Sequence, residues 1–425
     1  MKLWTSGLAI TAVLASGPAL AWEPTEGMPF AGETVRVLAV TSSQFQAHEA
    51  RVGAFEEATG IDVIIDYVPF ANMREALTAE MIGGGDYDVV SVMDQWVLSL
   101  RNLLQPIGEG IAAQGTDLSD FPAAHMRHGM IDGELYGLPV RGHVQLLFYR
   151  ADLLEAAGVE PPQTWDDVLT VSAAVQANGD VAGIALPYGR LNGQNLMVWM
   201  NLLWGNGGDL FDDAGQPIFN SAAGVAATQQ YIDMLIEHQV APAGSAVFVE
   251  QDAVNSFKQG NSAMLPVWWW VRSQLTDPTQ SAITDDQLGF VALPTVGDAA
   301  RTTFTNTWVF GVTEGADNPD AAIEYLGWLT DPALEREVLL DPDLSELVAV
   351  HMSNMRDPEV NARWGGIHAA AADALETAEG IGFGDDWLRI VEVLETAISS
   401  LASGEQTDVQ AALDAAAAEI ARIRG

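Results

Sequence analysis

Cysteine is absent from the 425-residue chain. That absence removes disulfides, thiolate zinc sites, cysteine nucleophiles and a lipid-modified cysteine anchor together. The fold must stand on its core alone. Lysine is almost missing too: Lys2 and Lys258 are the lysines, and the other basic residues are arginine. Lys and Arg total 18 against 58 Asp and Glu, a net charge of −40. Nucleic acid and anionic lipid both repel such a chain at long range, so neither is an expected partner. Long apolar runs are also lacking. No stretch reaches the ~20 residues that a bilayer span needs, so no membrane insertion is expected.

What is present is core-forming. Hydrophobic residues make up 48% and 13 residues are Trp, which excludes a disordered or low-complexity chain. At ~100–200 residues per domain, the length fits two or three domains.

The first residues read as an address. Lys2 gives a positive start, 8–15 is an apolar run interrupted by Thr11, and Gly17-Pro18 breaks it. Ala19-Leu20-Ala21 matches a small-x-small cleavage pattern. Residues 1–21 are therefore expected to be a cleavable secretory signal peptide, with Trp22 opening an exported, periplasmic chain.

Beyond it the pattern alternates between strand and helix. Residues 33–40 (ETVRVLAV), 61–67 (IDVIIDY) and 88–93 (DVVSVM) read as strands. Between them, 46–59 and 72–82 read as helices stopped by Gly60 and by Gly83-Gly84-Gly85. This is the signature of an α/β layer sheet. Asp132-Gly133 reads as a turn, 145–149 as a strand, and Thr164 with Asp167 as a capping box. Asn318-Pro319 and Asp331-Pro332 each open a helix, and the chain after 385 is mostly helical with a break at Ser403-Gly404. No disordered linker is visible, so two domains would be joined by segments that cross between them.

Catalytic and cofactor signatures are missing. Lys258 precedes Gln259-Gly260, the wrong order for a phosphate loop, and there is no G-x-S-x-G elbow or H-E-x-x-H pair. His125 and His128 lie one helical turn apart and read as a solvated pair rather than a zinc site. Asp212-Asp213-Ala214-Gly215 lacks alternating oxygen ligands and reads as a hairpin turn. No cofactor is expected. Trp268-Trp269-Trp270 is the positive clue. Neighbouring side chains diverge in a strand or a helix, so all three cannot face one core. At least one points to a cleft or to the surface, where a sugar ring would cover it.

Four stretches carry a resemblance. Phe55 to Val63 resembles a helix-to-strand "FEKxTGIxV". Asp132 to Pro139 with Leu147 to Leu153 resembles "DGKxYGLP…LxYNKDL". Pro162 to Asp167 resembles "PKTWDE", and Phe257 to Met264 resembles "FxxGxxAM". In this order, over about 33–422, the chain resembles the extracellular solute-binding proteins of family 1, the maltose-binding-protein-like sugar receptors of ABC transporters. The resemblance implies the type II periplasmic-binding-protein fold, with two α/β lobes, a hinge and a ligand cleft between them. It places crossings near 144–146, 293–295 and 340–346. Lobe one would hold 33–145 plus 295–342, and lobe two 146–294 plus 343–425.

The resemblance also implies site residues. Asp94 and Gln95 sit where the family places polar ligand contacts, and Asp94 serves equally as a helix N-cap. Ser43, Gln44 and Gln46 follow the first strand, at the end where α/β sheets present ligands. Trp270 matches the family's stacking Trp, and Trp268 narrows the cleft. His143 stands where maltose-binding relatives carry an acid, a departure that points away from maltose. Arg141 precedes it, as hinge structure or as a contact to a hydroxyl or an anion. Asn306-Thr307-Trp308 replaces a Gly-rich stretch, which adds Asn306 and Trp308. Asn195, Trp204 and Trp387 complete the set. The implied function is capture of a carbohydrate or polyol by a monomer that delivers it to an inner-membrane permease. The alternatives are an anionic sugar derivative, with Arg141, Arg190, Arg272 and His143 supplying charge, and a periplasmic glycan-active enzyme.

Overall fold

The computed structural model describes residues 22–299, 303–344, 348–380, 384 and 386–425. The expected signal peptide, residues 1–21, lies outside them, as does part of the third expected crossing.

One mixed sheet organises the described chain. Its strands are β1 (Thr34–Val40), β2 (Asp62–Val68), β3 (Val89–Met93), β6 (Leu138–Arg150), β7 (Ala182–Ile184), β8 (Ser262–Trp268), β9 (Leu288–Ala292), β10 (Thr303–Val312) and β11 (Ala378–Glu379). The intervening β4 (Met130–Ile131) and β5 (Glu134–Leu135) form a separate hairpin. Its turn is Asp132-Gly133, with φ of 52° and 87°, the pair of positive values a type I′ turn demands. The sheet runs β2-β1-β3-β10-β6-β8-β7, with β9 on β6 and β11 on β10. β1 lies parallel to both β2 and β3. β10 returns antiparallel between β3 and β6.

β6 is the pivot of this arrangement. It is 13 residues long, and residues 145–149, expected as a strand of their own, are its second half. Up to Val144 its partner is β10. From Gln145 it is flanked by β8 and, from Leu146, by β9. The partner exchange falls at a single point, so two groups of strands share one continuous backbone there. Pro139, which has no N–H to give a ladder, stands where the β6–β10 register shifts.

Side-chain alternation on β10 is unusually clean, and all ten of its residues are buried. Thr303, Thr305 and Thr307 face one way and donate their hydroxyls to the carbonyls of Gln145, His143 and Arg141 at 3.2, 2.5 and 3.0 Å. Three buried polar groups are thereby satisfied, and β10 is bolted to β6 beyond its ladder bonds. Phe304, Asn306 and Trp308 face the other way.

Local signals mostly hold. Thr164 accepts from the Asp167 N–H at 3.1 Å while the Asp167 carboxylate accepts from the Thr164 N–H at 2.9 Å. Asn318 and Asp331 cap Pro319–Leu329 and Pro332–Leu340. Gly60 ends its helix in the left-handed conformation at φ 73°. Two expectations are corrected. The helix read over 46–59 is split into Ser43–Glu49 and Val52–Thr59, broken at Ala50-Arg51, where no glycine or proline announces it. His125 and His128 are not solvated but buried, at 0% and 8% exposure.

Candidate functional site

Strand ends converge where β6 changes partners, and they enclose a cavity of about 530 Å³. β1 contributes Val40 with the Thr41, Ser42 and Ser43 that follow it, and β3 ends on Met93, with Asp94 and Gln95 opening the short helix after it. These are carboxyl ends of parallel strands, where open α/β sheets place their ligands. β6 offers Arg141 and His143, two residues apart and so on one face. β10 offers Phe304, Asn306 and Trp308 by the same alternation. Across the ladder Asn306 pairs with His143, and Trp308 with Arg141.

The Trp triplet splits two to one. β8 stops at Trp268, and residues 269–271 form a 3₁₀ turn. The change of backbone sends Trp269 inward, 2% exposed, where its indole N–H donates to the Gly142 carbonyl at 3.1 Å. Its ring meets His368 edge-on at 5.0 Å. Trp268 and Trp270 line the cavity, 6.0 and 6.3 Å from the His143 ring. The Arg141 guanidinium carbon lies 5.8 Å from the Trp270 ring centre. Trp308 meets Trp96 at 5.7 Å and 90°, which fixes its plane. Trp387, the first residue of Trp387–Ala402, completes the aromatic wall.

Polar groups on the wall divide by whether the protein already uses them. Asp94 is used: its carboxylate accepts from the backbone N–H groups of Gln95 and Thr307 at 2.7 and 3.0 Å. Its side chain has no exposed surface, and the His128 Nε2 stands 3.6 Å from it. Burial pushes the Asp94 carboxyl up to about 8 against those two N–H donors. Burial holds His125 down at about 4 and His128 at about 3, and it puts His143 well below the ordinary imidazole range. His143 is thus neutral at pH 7. Glu250, at the start of Glu250–Lys258, is pushed by burial to about 7, opposed by the Trp268 side chain. Its backbone N–H donates to Gln194 Oε1 at 2.9 Å, which holds Gln194 at the wall.

Three other wall atoms have no partner. The Ser42 hydroxyl, His143 Nδ1 and Asn306 Oδ1 are buried and make no hydrogen bond within the protein. A buried polar atom without a partner costs about 1–3 kcal/mol.

Ten of the expected site residues meet here: Ser43, Asp94, Gln95, Arg141, His143, Trp268, Trp270, Asn306, Trp308 and Trp387. Four do not, each for a visible reason. Gln44 turns inward, 2% exposed, and donates to the carbonyls of Val140 and Val348 at 3.1 and 2.9 Å. Gln46 lies on the outer face of Ser43–Glu49 and is exposed. Asn195 is fully buried and donates to the carbonyls of Tyr188 and Glu395 at 3.2 and 3.0 Å. Trp204 stacks behind Phe304 at 6.4 Å rather than on the wall. Sequence reading missed Phe70, Phe304 and Glu250. Phe304 shares one face of β10 with Asn306 and Trp308, whereas Phe70 and Glu250 carry no local signal. Among the described residues no cluster of three or more His, Asp or Glu side chains is arranged to hold a metal. No described helix is long and apolar enough to cross a membrane.

This geometry has close parallels. A probable amino-acid ABC transporter periplasmic-binding protein of Sinorhizobium fredii is 28% identical over 372 residues, 84% of this chain and 83% of its own. The sugar-binding protein MalE of Xanthomonas citri superposes with a TM-score of 0.79 at 22% identity, covering 92% of this chain and 97% of the other. A solute-binding protein of Agrobacterium vitis with bound D-mannitol gives 0.72 at 21%, covering 92% and 98%. The fold is that of a type II periplasmic binding protein. Residues 39–335 match the family described as bacterial extracellular solute-binding protein, and with its strand-end cavity in place the chain belongs to that family.

Proposed function

We propose that this receptor captures an uncharged, hydroxyl-rich solute, a sugar or a polyol, in the periplasm and delivers it to an inner-membrane permease. The observation that carries the reading is a cavity lined by the uncharged polar side chains of Ser42, His143 and Asn306 among indoles. A neutral imidazole nitrogen, an amide oxygen and a hydroxyl stand beside indole faces. A sugar hydroxyl both donates and accepts, so it can satisfy each of them, while the C–H face of the ring covers Trp268 or Trp270. The cavity of about 530 Å³ has the size of a small-molecule pocket. An anionic sugar derivative fits less well, because Glu250, half ionised near pH 7, stands on the same wall as Arg141. The mannitol-bound neighbour and the sugar-binding neighbour agree with a hydroxyl-rich guest.

The lobes we assign are 33–145 plus 295–342 and 146–294 plus 343–425, with β6 as one crossing. A guest that touches β1, β3 and β10 on one side and β8 on the other stabilises the closed state over the open one. No bond is made or broken. The protein acts as a monomer.

A second reading has its own support. Arg141 and Glu250 set opposite charges on the wall, which suits the carboxylate and ammonium of an amino acid. The Sinorhizobium fredii relative carries an amino-acid name. A thermal-shift screen of the mature protein against neutral sugars and polyols, sugar acids, and amino acids separates these classes. A stabilising hit confined to the neutral class is expected. Hits confined to amino acids would replace this reading with the second.

A further inference from the structure

One residue of β6 has no counterpart on β10. Trp308 pairs with Arg141 and Val309 with Pro139, which leaves Val140 as the extra residue of a β-bulge. The bulge decides what the strand presents to the cavity. Without it Val140 would stand opposite Trp308 and Gly142 opposite Asn306. Arg141 and His143 would then leave the cavity face, because a one-residue slip exchanges the two faces of a strand. Two side chains of the wall thus depend on a single backbone irregularity.

Gln44 grips that irregularity. Its Nε2 donates to the Val140 carbonyl at 3.1 Å and to the Val348 carbonyl at 2.9 Å, and its Oε1 accepts from the Val348 N–H at 3.4 Å. Both amide protons and the amide oxygen are therefore in use, in a buried residue. Gln44 does not line the cavity, but Ser42 and Ser43 beside it do. The Gly142 carbonyl, two residues beyond the bulge, accepts from the Trp269 indole at 3.1 Å. Between them, the carbonyls of Arg141 and His143 accept from the hydroxyls of Thr307 and Thr305. Every carbonyl from Val140 to His143 is thus held by a side chain from elsewhere in the sequence. Val348 is itself anchored, since the Val350 N–H donates to Glu335 Oε1 at 2.6 Å.

We propose that Gln44 is a positioning residue for the solute site: its amide fixes the bulge at Val140, and with it the place of Arg141 and His143 on the cavity wall. The proposal rests on this cavity being the solute site and not on which solute fills it. A bulge leaves its extra residue out of the ladder, and a buried carbonyl left without a donor is costly. Gln44 supplies the missing donor at that residue. Its bonds to Val348 keep the amide from following β6 if the strand slips. Neither a hydroxyl nor a carboxylate at position 44 could replace it, because the first donates once and the second not at all. The rival holder of the register is packing. A Cβ at Gly142 would come within 2.1 Å of the His125 ring, so a slipped strand meets that ring on its other face.

The test uses the mature chain without a solute, and its lack of cysteine confines thiol chemistry to introduced positions. Val140→Cys and Arg141→Cys are made one at a time, each with Gln44 in place and each with Gln44→Met, which keeps the side-chain length and removes the donors. The rate of labelling by a small methanethiosulfonate reagent reports exposure at each position. With Gln44 in place the thiol at 141 should react faster than the thiol at 140, since Val140 is buried and Arg141 half-buried. With Gln44→Met the ratio of the two rates should fall about tenfold, the order expected for one lost buried hydrogen bond. An unchanged ratio, even with a lower urea midpoint, would give Gln44 a merely structural role, assign the register to Gly142 and His125, and overturn the proposal. A second measurement needs no variant. The Nε2 protons of Gln44 in the unmutated protein, followed by NMR, should exchange slowly with solvent, and fast exchange would overturn the proposal even if Gln44→Met fails to fold. No solute enters either experiment, so the proposal and the ligand assignment fail separately.

Discussion

Asn306 stands directly opposite His143 across the β10–β6 ladder; both line the cavity, and each has a buried polar atom with no partner in the protein. The pairing follows from register. Thr305 and Thr307, on the opposite face of β10, hold the backbone of β6 through the carbonyls of His143 and Arg141. The two cavity-lining side chains are thus held from the opposite face by two hydroxyls. Asn306→Ala should therefore weaken ligand binding by about 1–3 kcal/mol, roughly five- to 150-fold, with little change in the unfolding midpoint. Calorimetric titration of the variant checks this, and unchanged affinity would remove Asn306 from the site.

The Trp triplet gives a paired prediction. Trp270→Ala should cost about 1–3 kcal/mol in binding if the indole stacks a ring, and leave stability nearly unchanged. Trp269→Ala should do the reverse. Its indole is buried and bonded to Gly142, so truncation should cost about 3–5 kcal/mol of stability. Urea unfolding and ligand titration of both variants separate the roles, and an identical pair of phenotypes would contradict the split.

Asp94 lines the cavity, yet both its oxygens already serve backbone N–H groups. Asp94→Ala should lower the unfolding free energy by about 1–3 kcal/mol by orphaning those donors. Its effect on affinity should follow from lost geometry on β3 and β10 rather than from a lost ligand bond. Undiminished stability with abolished binding would restore Asp94 as a direct contact.

The pH dependence of the unliganded protein has two limbs. His48 and His125 are held near 4 and His128 near 3, so the unfolded chain binds more protons than the folded one between those values and 6.5. Stability on this account is lost as pH falls below 6.5, by at most about 1.4 kcal/mol per unit per group. Asp94 near 8 and Glu250 near 7 have the opposite sign. Their folded forms keep a proton that the unfolded chain releases at about 4, so they remove stability as pH rises toward 8. The lowered histidines outnumber the acids below 6.5, and above it the acids are joined by His351, which Glu335 raises against the effect of burial. A maximum in the urea midpoint near pH 6.5 is expected, and a midpoint still climbing at pH 8 would contradict it.

The residues that line the cavity came mostly from the family resemblance, and strand alternation explains why Arg141 with His143, and Asn306 with Trp308, share a face. The run of three Trp signalled only that at least one would leave the core. Two of the four residues that lie off the cavity share one cause. Gln44 and Asn195 have the polarity of ligand contacts, but they spend it on carbonyls of Val140, Val348, Tyr188 and Glu395, all remote in sequence or across a turn. A sequence shows that an amide is present and not whether a distant carbonyl has claimed it. Burial of His125 likewise depends on Thr305, 180 residues away. The length of β6 was hidden for a related reason: only 145–149 reads as a strand, and a register shift against β10 accommodates Pro139 within the longer one.

The most direct measurement is the affinity of the best hit from the solute screen at low and at high ionic strength. Recognition by neutral His143, Asn306, Ser42 and the indoles predicts the same Kd at both, because no net charge is paired on binding. A steep fall in affinity with added salt would show that Arg141 and Glu250 do the recognising, and the account of an uncharged, hydroxyl-rich solute would be wrong.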